Sequence, residues 1–467
     1  MIKFFVSFAV TLLFWGYEAA AAESVSLGRY LEMVRDRNPA LRSGARSLEA
    51  GYYGVLASVS YQRPSLEGMV SGSYLTGSRN AQSDLREKNV AAGNAAFRLT
   101  HRIDLSGAWS LDERQQILFY EIQRAGFDED VNDLMAAAEE CWWSAVLARE
   151  NIALQEDVLR QRRENNRVTE EKYKQQLVPR LDLIRSEAQV VEAESLVSDA
   201  SAQYSNLLAR LAALTGGTEV VPPEEPLLLP AFSVTATPEK MLSSSPEVRA
   251  ARLALDRSRV VRQLKAKGLS PTLNAAITWM PFSDPWNSSS PQKGEMSATL
   301  SLNFPILDGG QTRYEVLNAD RLVQAAEEWL RSVENSAKMD FAIAGNDWNR
   351  AMALEKAKKR QVERSDEEVR ITKLMYGEGM GAQLDLINAQ TENQRIRTDY
   401  LSAVRDMYVA LVNLRKVAGD YAPDEEGAWK DAVIRYGRGR NVSDENVLGG
   451  TNEKRTGRAG EAKNKNR

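Results

Sequence analysis

Residues 297–311 join a one-sided strand to the start of a very long helix. Apolar and polar residues alternate over the first ten positions, and the apolar ones are Ala298, Leu300, Leu302, Phe304 and Ile306. This period of two predicts a β-strand with one apolar face. Pro305 and the pair Gly309 and Gly310 end the alternation, and helical spacing then continues for about 65 residues. Few globular cores face a helix of that length, so an ordinary globular fold does not suit this chain.

The chain begins with a short apolar segment behind one charged residue. Lys3 precedes apolar residues 4–15, and small residues follow at 19–22. This order predicts a signal peptide, residues 1–22, cleaved after Ala22. The alternative, a membrane anchor, is disfavoured because about a dozen apolar residues are too few to span a bilayer. No other stretch is long and apolar enough for a spanning helix, so any membrane-spanning part must be a β-barrel.

Composition excludes several classes of function. The net charge of −4 argues against a general nucleic-acid binder. Cys141 is the only cysteine, so no internal disulfide forms, and we expect it to be a buried small hydrophobe. His101 is the only histidine, and no metal-ligand spacing or Ser-His-Asp set surrounds it. The sequence predicts neither an enzyme nor a cofactor or metal site. The glycines of 377–381 follow a helix, which favours a tight turn over a dinucleotide site.

Two halves of the chain resemble each other. Leu181-Asp182-Leu183-Ile184 recurs as Leu384-Asp385-Leu386-Ile387, an offset of 203 residues, and other matches share this offset or one of 207. We therefore predict a tandem duplication. The predicted units are repeat 1 at 23–220, a Pro-rich linker or equatorial belt at 221–237, and repeat 2 at 238–420. A C-terminal segment, 421–467, follows and is expected to be disordered from about 438. The tail is either flexible without a role or a partner-binding segment.

Each half is predicted to have the same series of elements. A helix of about 35 residues (27–61 and 238–269) precedes two strands (65–74 and 94–105; 272–280 and 297–306). A long helix (108–176 and 311–376) and a further helix (180–215 and 383–418) follow. A long helix spans about 100 Å, which two shorter helices placed end to end would match. In the last helix, Tyr400, Val404, Met407, Leu411, Leu414 and Ala418 step by four and three, the spacing of a coiled-coil seam.

The four strands have the length and pattern of transmembrane strands. Each has about ten residues with one apolar and one polar face. A soluble β-sandwich is the alternative, but it does not account for the signal peptide and the long helices together. Four strands cannot close a barrel, which needs about eight, so closure requires more than one copy of the chain. Three copies would supply twelve strands.

Three sequence segments together resemble the TolC-like outer membrane factor family over nearly the whole mature length. They are Asn38-Pro39-Ala40-Leu41, the hinge from Leu302 to Gly310, and Leu384 to Gln390 leading to Leu414 and Gly419. The resemblance implies an α+β membrane protein: a homotrimer with a twelve-stranded barrel in outer membrane lipid and a long antiparallel α-helical coiled-coil barrel in the periplasm. It also implies a periplasmic adaptor (membrane fusion protein) and an inner-membrane pump of RND or ABC type, with a role in efflux or type I secretion. The localisation implied is the outer membrane of a Gram-negative bacterium.

The resemblance also assigns roles to particular residues. The turns at the far ends of the long helices are expected to narrow the tunnel and to meet the adaptor. The expected pore constriction is Asp385, Asn388 and Asp182, and the expected adaptor contacts are Val178, Pro179, Arg180, Gly379 and Gly381. The expected strand-to-helix hinge is Pro305, Gly309, Gly310 and Gly107. The alternative role for each Asp is a helix-start residue that suits the dipole, and both roles are compatible.

A second function remains open at this stage. A structural or adhesive coiled-coil trimer anchored at the surface would use the same strands and helices without transport. A channel needs a polar tunnel and a constriction at the helix turns, whereas an adhesin needs no periplasmic opening. The sequence does not name a cargo.

Overall fold

The computed structural model describes residues 23–76, 89–222, 238–285 and 294–421. The chain divides into two compact units, Met1–Ala422 and Pro423–Arg467, and all described residues lie in the first. The predicted signal peptide, residues 223–237 of the predicted linker and the C-terminal residues from 422 onward lie outside the described residues.

Helices dominate the described part of the chain. They are α1 (Leu27–Arg37), α2 (Pro39–Ser58), α3 (Ala108–Lys174), α4 (Arg180–Leu214), α5 (Pro238–Ser244), α6 (Pro246–Lys265), α7 (Gln311–Gly377) and α8 (Gln383–Ala418). The two long helices and the two helices that follow them end within two residues of the predicted bounds. None of the helices in the described ranges is long and apolar enough to cross a membrane.

The first helix of each half is interrupted, and the predictions of single helices at 27–61 and 238–269 were wrong. Asn38 separates α1 from α2, and its side chain accepts hydrogen bonds from the backbone N–H groups of Ala40 and Leu41. Ser245 separates α5 from α6 in the same way, with its side chain accepting from Val248. A proline follows each of these caps and disfavours helical backbone in the residue before it. The chain therefore ends one helix and starts another at each site.

Helices α4 and α8 end beside these two interruptions. The Asn38 side chain donates a hydrogen bond of 2.9 Å to the carbonyl of Leu214, the last residue of α4. The Ser244 hydroxyl donates one of 2.8 Å to the carbonyl of Ala418, the last residue of α8. Helices α2 and α4 both pack on α3, while α6 and α8 both pack on α7. Short helices thus meet end to end along each long helix, as their lengths predicted.

Four antiparallel strands form one sheet in the order β2-β3-β5-β6. Their bounds are β2 (Ser65–Thr76), β3 (Asn89–Asp104), β5 (Thr272–Pro285) and β6 (Glu295–Asn303); β1 (Glu23–Ser24) and β4 (Val220–Val221) form a separate parallel pair. Strands β2, β3 and β5 extend beyond the predicted bounds on the side of their hairpin turns, because the strand pairing continues there. Strand β6 ends before the predicted residue 306, since Pro305 cannot donate to a strand partner.

The strand registers align the apolar residues on one face of the sheet. Leu66 lies opposite Leu99, Leu99 opposite Ile277, and Leu273 opposite Leu302. The rings of Phe97 and Trp279 stack with centroids 5.7 Å apart on this face. The face is open: Leu66 is 71% exposed and Leu300 69%. Among the described residues, neither outer strand, β2 or β6, has a second strand partner.

A buried cluster holds α3 and α8 together where α8 ends. Glu139 of α3 is 2% exposed, and its carboxylate accepts hydrogen bonds from Arg415 (2.8 and 2.9 Å) and from the Tyr421 hydroxyl (2.7 Å). The Trp143 ring stacks on Tyr408 with centroids 4.0 Å apart. Burial raises the pKa of Tyr408 to about 12, which keeps its hydroxyl neutral in this apolar setting.

Candidate functional site at the helix turns

The turn from α3 to α4 depends on a residue with left-handed backbone. Gln176 has φ of 61°, the only positive φ outside glycine in the described residues. The next N–H, that of Leu177, donates to the carbonyl of Lys172 and closes the end of α3. Of the predicted adaptor contacts, Val178 is half-buried, while Pro179 and Arg180 are exposed.

The turn from α7 to α8 uses glycine at the corresponding position. Gly379 has φ of 72°, and the N–H groups of Met380 and Gly381 both donate to the carbonyl of Met375. A Cβ added at Gly381 would lie 3.3 Å from the Met375 Cβ, so the turn leaves little room there. The glycines of 377–381 thus form a turn between antiparallel helices, as the sequence predicted.

The residues predicted to line a constriction lie in the first turns of α4 and α8. Asp385 and Asn388 are exposed on one face of α8, whereas the intervening Leu386 and Ile387 are buried. Asp182 is less open, at 22% exposed, and its carboxylate lies 3.8 Å from the Arg185 guanidinium. Each Asp is close enough to a helix N-terminus to suit the dipole. The exposed face of Asp385 and Asn388 also leaves them available to a pore.

The buried seam of α8 changes composition along the helix. Buried positions continue the three- and four-residue spacing beyond Tyr400 towards the start of α8. The seam is apolar from Tyr400 to Ala418, whereas between Ile396 and Gln383 it mixes apolar side chains with the buried polar side chains of Asn393, Gln390 and Gln383. The end of the bundle near the turns is therefore held together by hydrogen bonds as well as by apolar contacts.

Arg162 is the central polar group at the end of the helical bundle near the turns. It is 5% exposed, and its guanidinium donates to side-chain oxygens of Gln189 (3.1 Å), Gln390 (2.8 Å) and Thr391 (3.0 Å). It thus connects α3 to both α4 and α8. Burial lowers the pKa of Arg162, and the negative charge of Glu192 opposes that shift. No carboxylate among the described residues pairs with it directly, which is uncommon for a buried cation.

Two further contacts join the α3–α4 pair to the α7–α8 pair beside the turns. The buried Gln383 side chain donates to the Thr169 hydroxyl at 3.1 Å. The Lys172 ammonium lies 3.9 Å from the centre of the Tyr376 ring and donates to the Tyr376 carbonyl. Sequence reasoning missed these contacts and those of Arg162. Their only signal in the sequence is the continuation of the seam spacing through polar residues.

The strand-to-helix hinges lie at the opposite ends of α3 and α7. Gly107 and Gly310 have φ of 73° and 86° directly before the two helices, and Gly309 has φ of 65°. The Asp308 carboxylate accepts from the N–H groups of Gly310 and Thr312. Hydrogen bonds from Thr312 are the main reason that the pKa of Asp308 lies below its usual value. Such N-terminal carboxylate caps fix the direction in which each helix leaves the sheet.

A metal site is not evident in the described part of the chain, where no three His, Cys, Asp or Glu side chains cluster suitably. An open groove of about 420 Å³ lies between α3 and α4 and is lined by Cys141, Arg210 and Leu207 among others. Cys141 is half-buried, so the expectation of a buried side chain was wrong.

The second half of the chain matches a known protein family. Residues 237–420 match the family model of the outer membrane efflux proteins. Nodulation protein T of Rhizobium leguminosarum bv. trifolii is 24% identical over 295 residues, which are 59% of this chain and 60% of that protein. The chain therefore spans less than two thirds of this curated relative.

Solved structures share the fold. A membrane protein from Pseudomonas aeruginosa has a TM-score of 0.73 at 19% identity, with 84% of this chain and 90% of that chain covered. The open state of the MtrE outer membrane channel of Neisseria gonorrhoeae has a TM-score of 0.71 at 21% identity, with 84% and 88% covered. Together with the family match of residues 237–420, these findings confirm the predicted resemblance to the TolC-like outer membrane factor family and the predicted outer-membrane location.

Proposed function

We propose that this chain is one protomer of a trimeric channel-tunnel that carries substrate across the periplasm and outer membrane. The main observation in support is a four-stranded sheet that is apolar on one face and has two open edges. The sheet is joined through capped hinges to the long helices. A periplasmic adaptor and an inner-membrane pump of RND or ABC type would complete a tripartite efflux or type I secretion system. The match of residues 237–420 to the outer membrane efflux protein family supports this role.

The open sheet edges support association with further copies. An unpaired edge strand presents backbone groups that need partners, above all in lipid. Pairing β6 of one copy with β2 of the next would satisfy both edges at once. Four strands are too few to close a barrel, and three copies give twelve strands with an interior wide enough for a channel.

The long helix α7 carries exposed apolar residues that suit a neighbouring copy. Tyr314 is 68% exposed, Leu322 57% and Trp329 61% in the single chain. Exposed apolar side chains along the length of a helix indicate an interaction face. Packing of α7 against another protomer would cover these side chains and continue the helical barrel around the tunnel.

The buried polar side chains near the turns support a tunnel end that opens. Separating Gln383, Gln390 and Arg162 from their partners exposes groups that water can hydrogen-bond, so the net cost of each lost contact is modest. An entirely apolar seam would resist separation more strongly, because all of its buried apolar surface would be exposed to water. The exposed turn residues, Pro179 and Arg180 in one half and Gly379 in the other, are then available to the adaptor. A surface adhesin would have no use for a separable periplasmic end, which favours the channel.

The proposal predicts how the protein fractionates. We expect it in the outer membrane as a trimer that resists detergent at room temperature and dissociates on heating, because every strand edge is paired inside lipid. Detergent extraction followed by electrophoresis of heated and unheated samples measures this. Recovery as a soluble monomer from a periplasmic extract would contradict the proposal.

A second prediction concerns the constriction. Three copies of Asp385 around a narrow opening would focus a cation-attracting field. Two such charges about 6–8 Å apart repel by roughly 2–3 kcal/mol at an effective dielectric constant near 20. We expect Asp385→Asn to lower cation preference and weaken block by multivalent cations, measured as reversal potential under a salt gradient in planar bilayers.

The control for this variant is Asp182→Asn. It removes the corresponding charge from a half-buried position beside Arg185, so its effect on reversal potential should be smaller. Trimer yield should stay near wild type for both variants. Identical reversal potentials for wild type and Asp385→Asn would leave Asp385 as a helix-start residue only.

A further inference from the structure

Three arginines lie on or directly beside the polar face of the sheet, in the half nearest the helices. Arg98 and Arg102 of β3 share that face with Ser65 and Glu67 of β2, since Ser65 lies opposite Thr100 and Glu67 opposite Arg98. Arg63 precedes β2 in extended conformation. Arg63 lies two residues before Ser65, the first paired residue of β2, and Arg102 lies two residues beyond Thr100, the partner of Ser65, so both arginines lie at the same end of this hairpin. We call Arg63, Arg98 and Arg102 the junction arginines.

The junction arginines are exposed and lack partners. None of them forms a hydrogen bond or ion pair with another described residue. Like charges close together at the end of a hairpin repel each other. The unpartnered guanidinium groups therefore bring the fold no stability, and an anion from outside the chain would relieve their repulsion.

Nearby carboxylates do not neutralise the cluster. Asp104 lies two residues beyond Arg102, but its oxygens accept from the N–H groups of Ser106 and Trp109 and from the Ser106 hydroxyl. Asp308 is similarly engaged by Gly310 and Thr312. Glu67, opposite Arg98, is the only carboxylate of β2 on this face. Three guanidinium groups thus face one uncommitted carboxylate.

The cluster belongs to the first half of the chain alone. The positions that correspond to Arg63, Arg98 and Arg102 by the repeat offsets are Ser270, Ser301 and Pro305. Ser301 occupies the polar face of β6, opposite Asn274. The second half therefore offers a neutral surface at the same level of the sheet, and it serves as an internal reference.

We propose that the junction arginines bind carboxylate groups of small-molecule cargo as it passes from the helical tunnel into the barrel. This rests on the proposed function, because three chains closed into a barrel would place nine arginines around the lumen. Guanidinium groups bind carboxylates through paired hydrogen bonds, and a water-filled opening lined by one sign of charge concentrates the opposite ion. The barrel end would then favour anionic groups, while the Asp385 end favours cations.

The test uses the purified full-length trimer in planar bilayers, with citrate as the probe. We expect citrate added on the barrel side to block current, and Arg63→Gln/Arg102→Gln to weaken that block roughly three- to tenfold. Arg102→Lys should keep the reversal potential but weaken the block, because an ammonium lacks the paired donors. Ser301→Arg adds an arginine at the neutral reference position and should strengthen the block.

The outcomes separate this inference from the proposed function. A trimer that conducts but shows equal citrate block in wild type, the double variant and Ser301→Arg overturns the inference and leaves the channel intact. If the double variant fails to assemble, Ser301→Arg and Arg102→Lys still decide the matter. Absence of any conducting trimer overturns the proposed function, and the inference with it.

Discussion

Leu300→Arg is expected to reduce sharply the amount of folded protein in the outer membrane. Leu300 lies near the middle of β6, on the apolar face opposite Ala275, and is 69% exposed in the single chain. If that face meets lipid, a charge there costs about 2–4 kcal/mol near the bilayer midplane. The measurement is the yield of heat-modifiable trimer in outer-membrane fractions at matched expression.

The control for this variant is the neighbouring position. Thr299 lies on the polar face, opposite Ala276, so Thr299→Arg should be accommodated in the lumen with near wild-type yield. Equal losses for the two variants would show that the faces are assigned wrongly. Loss confined to Thr299→Arg would mean that the polar face meets lipid.

Arg415→Met is expected to destabilise the helical part by about 3–5 kcal/mol. The substitution leaves the Glu139 carboxylate, 2% exposed, without its cationic partner. The remaining donors, the Tyr421 hydroxyl at 2.7 Å and the Trp143 indole N–H at 3.3 Å, are neutral and cannot balance a buried charge. The unfolding transition of the helices, followed by far-ultraviolet circular dichroism, measures the loss.

Two comparisons separate charge burial from simple loss of a side chain. Arg331 pairs with Glu328 on α7, and both side chains are at least 70% exposed; Arg331→Met should cost under about 1 kcal/mol. Adding Glu139→Met to Arg415→Met should recover much of the stability, since apolar replacement of both partners is often neutral. A double variant as unstable as Arg415→Met would contradict this account.

The elements could be predicted from the sequence because their periodicities are long and clear. Alternation over ten residues identified the strands and their faces, and the registers show those faces aligned. The interruptions at Asn38 and Ser245 were missed. A proline in the first turn fits a helix start as well as a kink, and apolar residues continue on both sides of it. Strand ends were missed where a hairpin extends into polar residues, since pairing there depends on the partner strand.

The candidate site was harder to predict, because its contacts join residues far apart in the chain. Arg162 meets Gln390 across 228 residues, and nothing in either local sequence indicates the other. The predicted seam ended at Tyr400, although buried positions continue at the same spacing through Ile396 and Asn393 to Gln383. Burial of polar side chains is decided by helix packing and not by their own pattern. Asp385 was found because a family resemblance pointed to it.

The change in composition along the α8 seam gives the two ends of α8 different responses to temperature. Exposed apolar area sets the heat capacity of a structural transition. Separating the end that includes Gln383, Gln390 and Asn393 would expose less apolar surface, so its free energy should vary with temperature along a flatter curve. The end lined by Tyr408, Leu411 and Leu414, which packs on the middle of α7, should follow a more curved profile and weaken on cooling. In the cold, α8 would therefore loosen first half-way along the long helices, whereas the turns would keep their contacts.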